Sequence, residues 1–173
     1  MRIAALASLG ALILIVGFGF AGLGASAHAG ENIAPDFTLK DLENKDVKLS
    51  DACKNGPVVV AFWSTWCKNC PDELKQFQRM YDQYKEQGLT VLAVSIDCSK
   101  TVSKVRPWAQ GRRFSFPILL DTANNVKRLY NVTPVPHSFI IDKQGRIVYS
   151  HIGFRPGDEK AYEEEIVKLL KPS

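Results

Sequence analysis

The sequence predicts an α/β domain in which a mixed central sheet is flanked by helices, with a short β-hairpin leading into it. Three observations carry this reading. Val58 to Trp63 (VVVAFW) is a continuous apolar run rich in β-branched residues and bounded by Gly56-Pro57, the pattern of a strand buried on both faces. Leu89 to Ile96 (LTVLAVSI) is a second such run, and the segment between the two has helical spacing. A strand–helix–strand order of this kind implies parallel pairing through a crossover.

The remaining elements follow in chain order. Apolar residues alternate at Phe37, Leu39, Val47 and Leu49 around Glu43-Asn44-Lys45, which predicts a two-stranded hairpin with one face buried. Ser50-Asp51 opens a turn or short helix that carries Cys53. After the first buried strand, a helix from about Asp72 to Gln87 places Leu74, Phe77, Tyr81 and Tyr84 on one stripe, and Gly88 ends it. A helix disturbed by Pro107 is expected within Ser99 to Gln110, then a strand at Phe116 to Leu120 and a short helix at Thr122 to Tyr130. Ser138 to Asp142 and Arg146 to His151 form a hairpin around Lys143-Gln144-Gly145. An amphipathic helix from about Asp158 to Leu170 closes the domain, with Tyr162, Ile166, Leu169 and Leu170 inward.

The 173 residues suit one domain preceded by a leader. In residues 1–29 Arg2 is the only charge, Ile3 to Leu23 is apolar, and Ala27-His28-Ala29 fits a small-x-small cleavage site. The stretch is either a signal peptide or, being near the roughly 20 residues that span a bilayer, an uncleaved membrane anchor over residues 3–23. Either way residues 30–173 are expected outside the cytoplasm, in the periplasm or its equivalent. The net charge of +4 is mild and no basic run occurs, which argues against nucleic acid as a partner.

The chemistry concentrates at Cys67 and Cys70, two residues apart where the first buried strand hands over to a helix. Free N–H groups and the positive end of the helix dipole stabilise an anion there, lowering a thiol below its usual pKa of about 8.5. Cys67 lies at the helix mouth with Lys68 beside it, and Cys70 one turn further in is more shielded. A zinc half-site needs two more ligands, and Cys53, Cys98, His28, His137 and His151 offer no second close pair. A purely structural bridge closes too short a loop to constrain much chain entropy. Redox chemistry is the reading that fits, and no cofactor or metal is called for.

Three stretches carry a family resemblance: PDFTLKDLENKDVKLSD, VVVAFWSTWCKNCPDEL and FPILLDTANNVKRLYNVTPVPHSFIIDKQGRIV, together spanning nearly all of residues 34–170. The chain resembles thioredoxin-fold proteins, and within them the extracytoplasmic TlpA/ResA-like thiol–disulfide oxidoreductases. The resemblance implies that Cys67 is the attacking thiolate and Cys70 the resolving thiol. It further implies that Pro136 is the family's cis-proline, presenting the backbone of Val135 to an extended substrate segment, with Trp66 and His137 on the same binding surface. Cytosolic thioredoxins carry a buried aspartate six residues before the first cysteine. Ala61 stands there in this chain. Glu73, three residues after Cys70, matches the glutamate that the ResA-like group uses near its thiols, where a desolvated carboxyl can take or return the proton of Cys70. A solvated first-turn glutamate is the alternative. Asn69-Cys70-Pro71 is a second departure, with proline after the second cysteine where many relatives have it before.

By the same resemblance the partners are protein disulfides, such as apocytochrome c with an oxidised haem-attachment motif, and a membrane thiol donor of the DsbD or CcdA type; the protein is read as a monomer. His137 tunes the thiolate if charged and lines the groove if neutral. The even cysteine count and an exported setting suggest a Cys53–Cys98 bridge; against it, the two fall at opposite sheet ends, about 20 Å apart at 3.3 Å per residue, which favours two separate thiols. Two further readings stay open. A Sco-like copper chaperone would use Cys67, Cys70 and a histidine, and a DsbA-like oxidant or an isomerase would use the same pair in another direction. PDFTL suggests a peroxiredoxin, but that family's PxxxTxxC is missing.

Overall fold

The computed structural model describes residues 32–171. The leader expected over residues 1–29 therefore lies outside the described residues. Among those described, no helix is long and apolar enough to cross a membrane.

The hairpin pairs β1 (Thr38–Asp41) with β2 (Asp46–Lys48), and α1 (Leu49–Ala52) with a 3-10 turn over Cys53–Asn55 leads into β3 (Val58–Trp63). Then come α2 (Cys70–Tyr84), β4 (Thr90–Ser95), α3 (Val105–Gly111), β5 (Ile118–Leu120), α4 (Asn125–Leu129), β6 (His137–Ile141), β7 (Ile147–Ile152) and α5 (Glu159–Leu170). The seven strands form one mixed sheet in the order β2-β1-β5-β4-β3-β6-β7. β3 is parallel to β4 and antiparallel to β6, so it lies inside the sheet with both neighbours in place. Its six residues are all buried, as a strand covered on both faces requires.

Successive β3 side chains supply two cores, one per face. Val59, Ala61 and Trp63 meet Leu74, Phe77 and Met80 of α2, Val105 of α3 and Tyr162 and Ile166 of α5. Val58, Val60 and Phe62 meet Leu49 of α1, Cys53, Val126 of α4 and Tyr130. Trp63 stacks on Trp108 at 4.3 Å, and the guanidinium of Arg112 covers the outer face of Trp108 at 3.8 Å.

α2 begins at Cys70 rather than Asp72, because Pro71 has the fixed φ that suits the first turn and needs no partner for a missing N–H. Its stripe also differs from expectation. Glu73 and Met80 are fully buried, while Tyr81 and Tyr84 are half-buried at the stripe's edge. Gly88 (φ +102) turns the chain into β4, and a side chain there would meet the Asn55 carbonyl. Helix α4 starts at Asn125, later than Thr122, because the Asp121 carboxylate accepts the N–H groups of Asn125 (2.9 Å) and Lys127 (2.7 Å) and fixes the start.

Candidate active site

The parallel strands β3 and β4 end side by side, and the site is built on the loops that leave them. After Trp63 the chain turns through Ser64, Thr65 and Trp66, with the Cys67 N–H donating to the Ser64 carbonyl at 3.2 Å. This loop is anchored from β4. The buried Asp97 carboxylate accepts the Thr65 N–H (2.8 Å) and the Thr65 hydroxyl (2.6 Å), and the Ser95 hydroxyl also donates to it (3.0 Å). Asp97 was not singled out in the sequence, since 32 positions separate it from Thr65. Asp97→Ala removes the acceptor of three hydrogen bonds and strands their donors. We expect a loss of about 2–3 kcal/mol of stability, with slower disulfide exchange, checked by chemical denaturation and a reductase assay. Unchanged stability would mean that the loop holds itself.

Cys67 and Cys70 form a disulfide with Cα atoms 5.5 Å apart. The Cys70 N–H, the first of α2, donates to Cys67 Sγ at 3.2 Å. The helix mouth is therefore aimed at the outer sulfur, which is the electrostatic arrangement that favours a thiolate. Cys67 is 9% exposed and Cys70 fully buried, the order of accessibility the sequence implied.

Glu73 lies one turn along α2 from Cys70 and is fully buried. Its Oε1 accepts the Tyr162 hydroxyl of α5 at 2.8 Å, while Oε2 has no partner among the described residues. Burial pushes the carboxyl up to about 8; the Tyr162 hydroxyl works against this, and the Ser138 hydroxyl, outside hydrogen-bonding geometry, does so too. Ser138, whose hydroxyl lies near this carboxyl, is the cross-strand partner of Ala61. The solvated alternative for Glu73 is thereby overturned. Tyr162 was read from the sequence as core alone; its distance of 89 positions from Glu73 hides the pairing.

The other expected site residues separate into two groups. Trp66 is 64% exposed beside Cys67, Val135 packs against the cluster that contains both cysteines, and the Val135–Pro136 peptide is cis. Pro136 is buried, and its carbonyl accepts the Gly153 N–H at 2.8 Å, joining it to the end of β7. Next to it a groove of about 320 Å³ runs from Asn69, inside the CxxC, past His151, Ile152, Arg155 and Asp158. His137 belongs elsewhere. It pairs with Phe62, stacks on Phe139 at 4.3 Å, bonds Ser150 Oγ at 3.1 Å, and is 7% exposed. Burial pushes its pKa down and keeps it neutral, so the charged, thiolate-tuning form expected as one possibility is not favoured. The surface position expected for it is corrected for the same reason: one residue past Pro136, the strand alternation turns the ring to the α4 face.

Among the described residues no three His, Cys, Asp or Glu side chains gather closely enough to hold a metal, and His151 is engaged with Asp158 at 3.1 Å. Neither histidine completes a copper set with the cysteine pair. Cys53 and Cys98 are free thiols, the first buried and the second exposed, as the topology favoured. Burial pushes the Cys53 thiol up to about 11, whereas N–H groups of Lys100 and Thr101 hold Cys98 below the usual thiol range.

The AhpC/TSA family model matches residues 31–150. A thiol–disulfide oxidoreductase ResA from Bacillus thuringiensis subsp. konkukian is 33% identical over 139 residues, covering 80% of this chain and 77% of the relative. Among solved structures, a provisionally assigned thiol:disulfide interchange protein DsbE from Chlorobium tepidum is 33% identical with a TM-score of 0.76, covering 82% of this chain and 97% of that one. A thioredoxin-like protein from Porphyromonas gingivalis is 36% identical with a TM-score of 0.66, covering 79% of this chain and 90% of its own.

Proposed function

Because the chain belongs to the AhpC/TSA family and is a ResA-like thiol–disulfide oxidoreductase of thioredoxin fold, we propose that it works as an extracytoplasmic reductase of protein disulfides. The observation that carries this reading is the aim of the Cys70 N–H, at the mouth of α2, at Cys67 Sγ (3.2 Å). A sulfur so held is stabilised as a thiolate, the form that attacks.

In the reduced protein the Cys67 thiolate attacks one sulfur of a client disulfide. That S–S bond breaks, one client sulfur leaves as thiolate, and a Cys67–client mixed disulfide forms. Cys70 passes its proton to the Glu73 carboxylate and attacks Cys67 Sγ. The Cys67–Cys70 bond forms, the second client sulfur leaves, and two electrons have passed to the client. Client thiolates take protons from water or from Glu73. A dithiol donor returns the electrons, and a membrane protein of the DsbD or CcdA type is the partner suited to a domain outside the cytoplasm.

The client binds as an extended segment beside Val135 and Pro136, with exposed Trp66 (64%), next to Cys67, and Ile152 (57%), in the groove that includes Asn69, offering apolar contact. Exported proteins with an oxidised CxxCH haem-attachment motif, hence cytochrome c maturation, are the clients this reading favours. The leader at residues 1–29 supplies the export, by cleavage or as an anchor.

Equilibration of the Cys67–Cys70 pair against glutathione or dithiothreitol tests the direction of transfer. A potential more reducing than about −200 mV is expected of a reductase; a value near the −120 mV of DsbA-type oxidants would reverse the assignment.

A further inference from the structure

We propose that Tyr162 is a positioning residue for Glu73: its hydroxyl holds one carboxyl oxygen and leaves the other to exchange a proton with Cys70. The inference rests on the reading in which Glu73 handles that proton. Tyr162 of α5 donates to Glu73 Oε1 at 2.8 Å, both residues are fully buried, and Oε2 is unpartnered among the described residues. The phenol ring is itself fixed. It lies 5.0 Å from Phe77, 5.8 Å from Tyr149 and 5.6 Å from His151, the last two edge-on. A hydroxyl on a ring clamped from three sides has little freedom to leave its acceptor.

The consequence is a division of labour between two chemically equivalent oxygens. Oε1 is committed to Tyr162, whose phenol is pushed far up by burial and by Glu73, so it keeps its proton and remains a donor. Oε2 then receives the Cys70 proton: the S–H bond breaks, an O–H bond forms on Oε2, and the charge moves from carboxylate to sulfur. The groups that face the carboxyl are Tyr162 from α5, Asp158 at the start of that helix and Ser138 from β6, with Cys70 one turn back along α2 and Tyr149 and His151 of β7 behind the Tyr162 ring. Among the described residues only Tyr162 bonds it directly. A buried tyrosine that merely satisfies its hydroxyl on the nearest acceptor would make the same contact but would leave the proton chemistry alone.

The two cases separate in a pH profile. A mixed disulfide between Cys67 and a synthetic single-cysteine peptide is prepared, and its resolution by Cys70 is timed as a function of pH, alongside a 13C NMR titration of the Glu73 carboxyl. A donor stabilises the ionised carboxyl more than the neutral one, so Tyr162→Phe is expected to raise both midpoints by about one pH unit and slow resolution about tenfold below them. Tyr162→Met, which also lacks the donor, is expected to do the same if the first variant folds poorly. A loss of rate equal at every pH, with unmoved midpoints, overturns the proposal and leaves Tyr162 a packing residue. Glu73→Gln keeps the two failures apart. A wild-type profile in Glu73→Gln sinks the proton role of Glu73 itself, whereas a flattened profile there, with Tyr162→Phe unshifted, sinks only the role of Tyr162.

Discussion

Cys67→Ser is expected to abolish disulfide reductase turnover, and Cys70→Ser to stop it one step later, with client left covalently attached to Cys67. The difference follows from geometry. Cys67 is the sulfur that reaches the surface and receives the Cys70 N–H at 3.2 Å; Cys70 is fully buried. A hydroxyl at position 67 does not ionise near neutrality and cannot attack. At position 70 it leaves the first attack intact and blocks release, so the mixed disulfide accumulates as an adduct seen by mass spectrometry and lost on adding dithiothreitol. Turnover of a peptide disulfide, with circular dichroism to show that each variant is folded, is the measurement. Full activity in both variants would remove the proposed reaction.

The second large effect concerns pH and stability. The folded-state carboxyl of Glu73 is pushed up to about 8 from 4.5, chiefly by burial. Between those values the folded protein holds a proton that the unfolded chain has released, so stability falls as pH rises. The contribution is complete below about pH 4.5, shrinks as pH climbs toward 8, and is gone above it. At about 1.4 kcal/mol per pH unit the loss across the window amounts to several kcal/mol. Glu73→Gln keeps an acceptor for the Tyr162 hydroxyl and carries no titrating group, so its stability should not show this slope. Denaturant unfolding of the oxidised proteins at pH 5, 7 and 9 should find the two close at pH 5 and the variant ahead at pH 9. Parallel curves would show that the carboxyl is not held neutral in the fold.

Much of the site is legible because its signals are local. The six apolar residues of β3, the two-residue gap in WCKNC and the helical spacing after it lie within some thirty positions. Helical spacing also places Glu73 on the face of Cys70. How deep that face runs is a different matter. Glu73 looks like an ordinary first-turn acid until α5 is laid over α2 and β6 brings Ser138 opposite Ala61. His137 illustrates the reverse error: its neighbour Pro136 suggested the active-site surface, yet a strand sends consecutive side chains to opposite faces, and pairing with Phe62 fixes which face.

By itself the sequence determined the strand-to-helix handover, the two thiols at that junction and their order of access, because each depends on periodicity or on distance along one element. Tertiary structure alone decided which buried partner each polar group meets: Tyr162 for Glu73, Asp97 for Thr65, Ser150 for His137. Those pairs join residues 89, 32 and 13 positions apart. Burial raises the cost of an unpartnered polar group without saying where in the chain the partner lies, and only the packing of the elements supplies it.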